Sequence, residues 1–160
     1  TISPSMDIQI ASNFERLIYD LNDFDCNATK KIMSEIKESG KYIISQEKIE
    51  KIKKHFLSAS LNDNEVLNII KSAYEEHKIL MDPHTAIGFG AIDKIKVDGL
   101  NIVLGTAHPC KFPDAINDAI KTKPQLPKEL MHILDEKEDY MIIPNDLQSI
   151  KKFIKSKSLV

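Results

Sequence analysis

The chain has 160 residues, of which 42% are hydrophobic and 29% charged, and its 22 Lys+Arg against 24 Asp+Glu give a formal net charge of −2. This size and composition are typical of one compact globular domain or a large piece of a longer protein. The small net charge argues against nucleic-acid or membrane partners, and no apolar run approaches the roughly 20 residues of a transmembrane helix. Cys26 and Cys110 are too few for a disulfide scaffold and favour a reducing compartment, so we expect a cytoplasmic protein.

The first half of the chain shows repeated helical periodicity. Apolar residues over 10–21 recur at helical spacing and predict an amphipathic helix. Further helices are predicted over about 28–38 and about 46–57. The next helix has the strongest local signal, because Asn62 precedes Glu65 by three residues, as in a capping box.

The middle of the chain combines turn, strand and helix signals. Residues 82–86 predict a turn that opens a short helix, with Thr85 as its N-cap. The run 101–106 has a continuous apolar centre and predicts a buried parallel strand, and a helix is predicted to begin at Pro113. A strand, a tight loop and a helix form half of a βαβ unit, so the predicted fold class is helix-rich α/β.

The last part of the chain predicts a short helix near 128–134, a possible edge strand at 141–143 and a final helix over about 145–155. One strong strand among five or more helices is unusual for a complete α/β domain, because a sheet needs several strands. The strand content therefore suggests that neighbouring strands lie outside this chain.

The first candidate binding site lies near the N-terminal end. Ser5 and Asp7 lead into the helix that carries Asn13 and Arg16, which are three residues apart and share a face. Free N–H groups at a helix start, an amide and a guanidinium would suit a carboxylate or a phosphate. The alternative is that Ser5 is an ordinary cap and Arg16 pairs with a local carboxylate such as Asp20.

A second candidate site is the loop 105–112, which follows the predicted strand, where open α/β sheets bind ligands. The Thr106 hydroxyl can bond a ring nitrogen, and Lys111, near a helix start, can meet an anion. His84, held beside Pro83, is a third candidate. The alternatives to a binding role are that Thr106 is a capping residue, that Lys111 is solvated and that His84 lies on the surface. The histidines have no metal-ligand spacing, so no metal site is expected.

Three motifs, in this order along the chain, strongly resemble the threonine synthases of the form common to bacteria and fungi. The motifs are Ser3-Pro4-Ser5-Met6-Asp7 with Asn13-Phe14-Glu15-Arg16, Asp82-Pro83-His84-Thr85-Ala86, and Thr106-Ala107-His108-Pro109-x-Lys111-Phe112. The resemblance implies the helix-rich C-terminal portion of a pyridoxal-phosphate enzyme of fold type II, similar to tryptophan synthase β. That family converts O-phospho-L-homoserine and water to L-threonine and phosphate, with the cofactor as electron sink.

The resemblance also assigns roles to individual residues. It implies that Thr106 bonds the pyridine nitrogen of the cofactor, where a neutral hydroxyl leaves that nitrogen largely unprotonated. The substrate-binding residues that it implies are Ser5, Asp7, Asn13, Arg16, His84 and Lys111.

The chain departs from the family because nothing in it matches the Schiff-base lysine motif or the glycine-rich phosphate loop, which lie in the family's N-terminal half. It also begins without an initiator Met. We therefore expect a C-terminal fragment with no catalytic residue of its own, inactive alone and partnered by the missing N-terminal half. Residues 1–125 are expected to be part of the cofactor-binding domain and 126–160 a C-terminal helical extension.

Two alternatives stay open at this stage. One is a non-catalytic helical interaction domain, which the helix content and the unpaired strand would suit. The other is a related type II amino-acid dehydratase, against which the motifs at Ser3–Asp7 and Asn13–Arg16 argue.

Overall fold

A computed structural model describes residues 1–158, and within that range the chain is helical with no β-strand. The α-helices are α1 (Ser12–Leu21), α2 (Cys26–Ser39), α3 (Gln46–Lys53), α4 (Asp63–His77), α5 (Pro83–Ile95), α6 (Pro113–Ile120) and α7 (Leu147–Lys157). Three short 3₁₀ helices span Pro4–Met6, Pro109–Lys111 and Lys128–Leu134. None of the helices in the described part combines the length and the apolar character needed to span a membrane.

The chain divides after Gln125 into two compact units. The first unit contains α1 to α6, and its buried core lies where α4 meets α5 and α6. Val66 and Ile70 of α4, Ala86 of α5 and Ile116 of α6 are each at most 1% exposed. Burial of side chains of this size contributes about 1.5–3 kcal/mol each, except for the small alanine. The second unit contains the 3₁₀ helix Lys128–Leu134 and α7.

Most predicted helices form close to the predicted bounds. The capping box at the start of α4 is confirmed, since Asn62 Oδ1 accepts the Glu65 N–H at 3.0 Å and Glu65 Oε2 accepts the Asn62 N–H at 2.7 Å. The third helix is shorter than predicted and ends at Lys53, so that Phe56 and Leu57 lie exposed beyond it.

Helix α5 begins earlier than predicted. Its N-cap is Asp82 and not Thr85, because the Asp82 carboxylate accepts the His84 N–H at 2.9 Å. Pro83 then occupies the first helical position, where the missing N–H costs nothing. Thr85 therefore lies inside the first turn of α5 and is buried.

The predicted strands at 101–106 and 141–143 are wrong for the chain as it stands, since neither segment pairs with another among residues 1–158. Ile102 and Leu104 are 79% and 77% exposed, so the apolar run is not buried. The physical reason is that the backbone N–H and C=O groups of a strand find hydrogen-bond partners only on a neighbouring strand.

Gly90 allows α5 to lie close against the segment that leads into α4 and against α4 itself. A Cβ atom at this position would overlap the side chains of Leu61 and Ile69. This close approach positions the N-terminal end of α5, where the polar residues described next are gathered.

Candidate functional site

The start of α5 holds a buried carboxylate with several donors. Asp82 has no solvent exposure. Its Oδ1 atom lies 2.9 Å from both the backbone nitrogen and the Nδ1 atom of His84. Its Oδ2 atom accepts a hydrogen bond from the Thr85 hydroxyl. These donors compensate for the burial of the charge.

Thr106 from the loop before α6 joins this carboxylate. Its backbone N–H donates to Thr85 Oγ1 at 3.0 Å. Its own Oγ1 atom lies 3.2 Å from Thr85 Oγ1 and 3.3 and 3.4 Å from the two carboxylate oxygens of Asp82. The loop is thereby anchored to the first turn of α5, although 21 residues separate Thr85 from Thr106.

His84 connects the same carboxylate to the N-terminal segment. Its Nε2 atom accepts the Ser5 backbone N–H at 3.1 Å, which requires the ring proton to reside on Nδ1. Nδ1 then donates to Asp82 Oδ1 at 2.9 Å. The ring of Phe112 packs against the imidazole with 4.7 Å between centroids. His84 is therefore a neutral, buried connector between two segments.

The charge state of Asp82 follows from two opposed effects. Burial acts to raise its pKa, and hydrogen bonds from the Thr85 hydroxyl and from the ring and backbone of His84 act to lower it. The hydrogen bonds prevail, so the pKa of Asp82 lies below its ordinary value. The carboxylate is therefore ionised at neutral pH and acts only as an acceptor.

We call Asp82, His84, Thr85, Thr106 and the backbone of Ser5 the Asp82 cluster. It brings together three residues that the sequence proposed from separate motifs, namely Ser5, His84 and Thr106. Asp82, His84 and Thr85 are buried while Thr106 is exposed, so the Thr106 hydroxyl is the group that the cluster can offer to a ligand.

Asn13 and Arg16 lie on α1 and share a face, as predicted. Arg16 Nη1 donates to the Asn13 side-chain oxygen, and among the described residues no ion pair joins Arg16 to Asp20. Arg16 also lines an open cleft of about 700 Å³ between α1 and α2, together with Lys30 and Lys37. The carboxylate of Glu15 lines the same cleft, so its lining holds three cationic side chains and one anionic side chain.

The remaining predicted site residues take no part in the hydrogen bonds of the Asp82 cluster. Asp7 is exposed and accepts hydrogen bonds from the Thr1 amino group at 2.8 Å and the Thr1 hydroxyl at 3.0 Å. Lys111 is exposed at the end of the 3₁₀ helix Pro109–Lys111. Their roles toward a ligand stay predictions.

No group of three or more His, Cys, Asp or Glu side chains able to hold a metal ion occurs over residues 1–158. Cys110 contacts His108, with 2.9 Å between Sγ and Nδ1. Among the described residues, no third His, Cys, Asp or Glu side chain completes a metal site with this pair.

Sequence reasoning missed Asp82 as a functional candidate. It took residues 82–86 as a turn with Thr85 as the N-cap, whereas Asp82 is the N-cap and Pro83 the first position of the helix. The signal was present in the Asp-Pro-x-Thr order, which suits a capped helix start. The contact with Thr106 could not be read from spacing.

The chain is similar to known proteins in sequence and in structure. The family model described as the C-terminal domain of threonine synthase matches residues 85–154. The curated threonine synthase of Pseudomonas aeruginosa is 35% identical over 157 residues, which cover 96% of this chain and 34% of that protein. The threonine synthase of Saccharomyces cerevisiae is also 35% identical, over 96% of this chain and 35% of that protein.

A solved structure adds the three-dimensional match. The crystal structure of pyridoxal-phosphate-bound threonine synthase from Brucella melitensis covers 100% of this chain at 36% identity with a TM-score of 0.77, and the match spans 35% of that protein. The resemblance to the C-terminal part of threonine synthases is confirmed. So is the fold class as a helix-rich C-terminal portion, without strands of its own among the described residues.

The chain spans about a third of the length of the threonine synthases that it matches. All three sequence motifs lie within the matched region, since the structural match extends over the whole chain. The similarity is therefore not confined to the Thr106 loop and includes the segment that carries Ser5.

Proposed function

We propose that this chain is the C-terminal part of a cytoplasmic threonine synthase. In its full length, that enzyme would convert O-phospho-L-homoserine and water to L-threonine and phosphate with pyridoxal phosphate. The observation that carries the proposal is the match of the whole chain, at 36% identity, to a threonine synthase with pyridoxal phosphate bound. Relatives named threonine synthase, and the Ser3–Asp7 motif, favour this reaction over that of a dehydratase.

The residues of the Asp82 cluster fit the proposed cofactor. Thr106 presents a neutral, exposed hydroxyl, and its backbone is held by Thr85 at 3.0 Å. A fixed hydroxyl of this kind suits the nitrogen of a heteroaromatic ring. When bound, the cofactor supplies an electron sink for the substrate's amino-acid carbons. The part played by this chain is to orient the ring through Thr106.

The cations near α1 are proposed to bind the anionic groups of the substrate. Arg16 carries a permanent charge and a planar set of donors that matches phosphate and carboxylate. Its hydrogen bond to Asn13 holds the guanidinium on one face of α1. Lys111 is proposed to assist it, with Ser5 and Asp7 as supporting residues and His84 as part of the site wall.

The two compact units are proposed to have different roles. Residues 1–125 would complete the cofactor-binding domain and residues 126–160 would form a C-terminal helical extension. The presence of Thr106 and His84 in the first unit supports this division. The Schiff-base lysine and the loop for the cofactor phosphate are proposed to belong to the other two thirds of the full-length protein.

That larger part is also the proposed partner of the exposed apolar segment 100–104. Leu100, Ile102 and Leu104 alternate along the segment and are 93%, 79% and 77% exposed. Alternating side chains of this kind are typical of a strand that pairs at a sheet edge. We infer that strands from the remainder of the protein pair with this segment and bury its apolar side chains.

Reduction with borohydride in the presence of pyridoxal phosphate tests this assignment. Because the Schiff-base lysine is proposed to lie outside the chain, the isolated 160-residue chain should give no stable adduct of one cofactor per chain on a single lysine. The full-length protein should give one. The measurement is intact mass followed by peptide mapping, and a stoichiometric adduct on one lysine of the isolated chain would contradict the proposal.

A further inference from the structure

Segment 1–7 precedes α1 and includes two of the residues that are proposed to support substrate binding. Among the described residues, two hydrogen bonds join this segment to the rest of the chain. The Ile2 N–H donates to Asp63 Oδ1 at 3.2 Å, and the Ser5 N–H donates to His84 Nε2 at 3.1 Å. The other hydrogen bonds of the segment lie within it.

The two ends of segment 1–7 are held in different ways. Ile2 packs against the core at the end that Asp63 also holds. Ser3 is 1% exposed, but its Oγ atom has no hydrogen-bond partner among the described residues. Ser5 lies in the exposed part of the segment, and its link to the rest of the chain is the hydrogen bond to His84.

Each ring nitrogen of His84 has a defined role in this link. A backbone N–H can only donate, so Nε2 must present its lone pair to Ser5. The ring proton is then on Nδ1, which donates to Asp82 Oδ1 at 2.9 Å. His84 is 9% exposed, and the ring of Phe112 packs against it. Both nitrogens are used within the chain, so neither is available to a substrate.

We propose that His84 is a positioning residue, which fixes segment 1–7 through its Nε2 atom and thereby sets the affinity for the substrate without contacting it. The inference rests on the proposed function, in which this segment and Arg16 of the following helix contribute to the substrate site. A displaced segment weakens binding in the ground state and in the transition state alike. The expected signature is a higher KM with little change in kcat.

Two substitutions separate the two ends of the imidazole. The amide of an asparagine reaches the place of Nδ1, and that of a glutamine reaches the place of Nε2. In His84→Asn the amide NH₂ can still donate to Asp82, but nothing accepts the Ser5 N–H. In His84→Gln the amide oxygen can accept the Ser5 N–H, while Asp82 keeps its donors from the Thr85 hydroxyl and the backbone of residue 84. Of the two variants, His84→Asn is the one that releases segment 1–7.

Steady-state kinetics of the full-length protein with O-phospho-L-homoserine give the first readout. His84→Asn should raise KM by roughly three- to tenfold, the scale of one hydrogen bond, and should leave kcat within about twofold of its original value. His84→Gln should restore most of the original KM. An unchanged KM in His84→Asn, or an equal increase in both variants, would overturn the proposal.

Amide hydrogen exchange of the full-length protein gives a readout that does not depend on activity. Mass spectrometry of the peptide that contains segment 1–7 reports the exchange of the Ser5 amide. In His84→Asn this amide has lost its acceptor and should exchange roughly three- to tenfold faster, whereas His84→Gln should retain the protection. Equal exchange in His84→Asn and in the unsubstituted protein would show that His84 does not hold the segment.

His77→Asn is the matched control for His84→Asn. It makes the same chemical change at a histidine whose side chain is 67% exposed at the end of α4. Both KM and the exchange of segment 1–7 should equal those of the unsubstituted protein. Changes as large as those in His84→Asn would mean that the effect is not specific to His84 and would contradict the proposal.

Asp63→Ala tests whether the position of segment 1–7 is what the substrate senses. This variant removes the acceptor of the Ile2 N–H and leaves the bond between Ser5 and His84 in place. Exchange in the segment and KM should therefore both increase, although no change is made at His84. Faster exchange with an unchanged KM would show that the position of the segment does not affect substrate binding, and would overturn the proposal.

The outcomes for the two proposals are distinct. No turnover of O-phospho-L-homoserine by the unsubstituted full-length protein would contradict the proposed function, and the exchange experiment would still report whether His84 holds the segment. Should His84→Asn fail to fold, nuclear magnetic resonance of the unsubstituted protein with ¹⁵N-labelled histidine takes its place. The His84 ring should then show a protonated Nδ1 and an unprotonated Nε2. A proton on Nε2 is incompatible with the bond to Ser5 and would overturn the proposal.

Discussion

At the scale of single residues, the buried carboxylate of Asp82 holds separate segments of the chain together. Asp82 reaches Thr106 through Thr85 and reaches the Ser5 backbone through His84. Removing one partner from such a cluster leaves a buried polar group unpaired, which costs about 1–3 kcal/mol. The cluster therefore couples local stability to the position of Thr106, the residue that is proposed to face the ligand.

The lowered pKa of Asp82 predicts how stability changes with pH. The folded-state pKa lies below the ordinary value of 3.8, so the unfolded chain binds the proton more readily. The contribution of Asp82 to stability is fully present above that ordinary value and is lost as the pH falls through the folded pKa.

Unfolding of the full-length protein by urea, measured from about pH 6 downward, should show this loss, and Asp82→Asn should lack part of it. Other carboxylates with lowered pKa values, such as Glu65 and Asp146, are present in both proteins. The difference between the two curves therefore reports Asp82. Parallel curves down to the lowest pH at which both fold would refute the prediction.

At the scale of elements, the packing of α5 on α4 determines the position of the Asp82 cluster. Gly90 faces the side chains of Leu61 and Ile69, with no room for a methyl group. The close packing of α5 therefore depends on the absence of a side chain at Gly90, although glycine is unfavourable inside a helix by up to about 1 kcal/mol relative to alanine.

The substitution Gly90→Ala should destabilise the protein, because overpacking costs about 1–3 kcal/mol and exceeds the gain in helix propensity. The measurement is the free energy of unfolding by urea. Gly105→Ala is a suitable control, since an added Cβ there meets no atom within 4 Å. Greater stability of Gly90→Ala than of the unsubstituted protein would show that α5 is not held closely against α4.

The sequence predicted the helices where local signals suffice. The Asn62–Glu65 box and the apolar stripe of α1 depend on residues a few positions apart. The strand at 101–106 was wrong because pairing depends on neighbours that the described chain does not provide. The role of Asp82 was missed because its partner Thr106 lies 24 residues away and its burial depends on how α5 packs.

At the scale of the whole molecule, the chain matches about a third of each threonine synthase. Apolar side chains stay exposed in both compact units, among them Leu104 in the first and Ile142 in the second, at 77% and 86%. Exposed apolar residues of this size are typical of surfaces that meet another part of a protein. The proposed activity therefore belongs to the full-length protein and not to this chain alone.

Turnover by the full-length protein tests that claim most directly. With pyridoxal phosphate and O-phospho-L-homoserine, the full-length protein should release L-threonine and phosphate in equal amounts, and the isolated 160-residue chain should show no turnover under the same conditions. L-Threonine and L-serine are assayed in parallel, because they are the substrates that a dehydratase would deaminate. Deamination of these amino acids without release of phosphate from O-phospho-L-homoserine would show that the full-length protein is a dehydratase and not a threonine synthase.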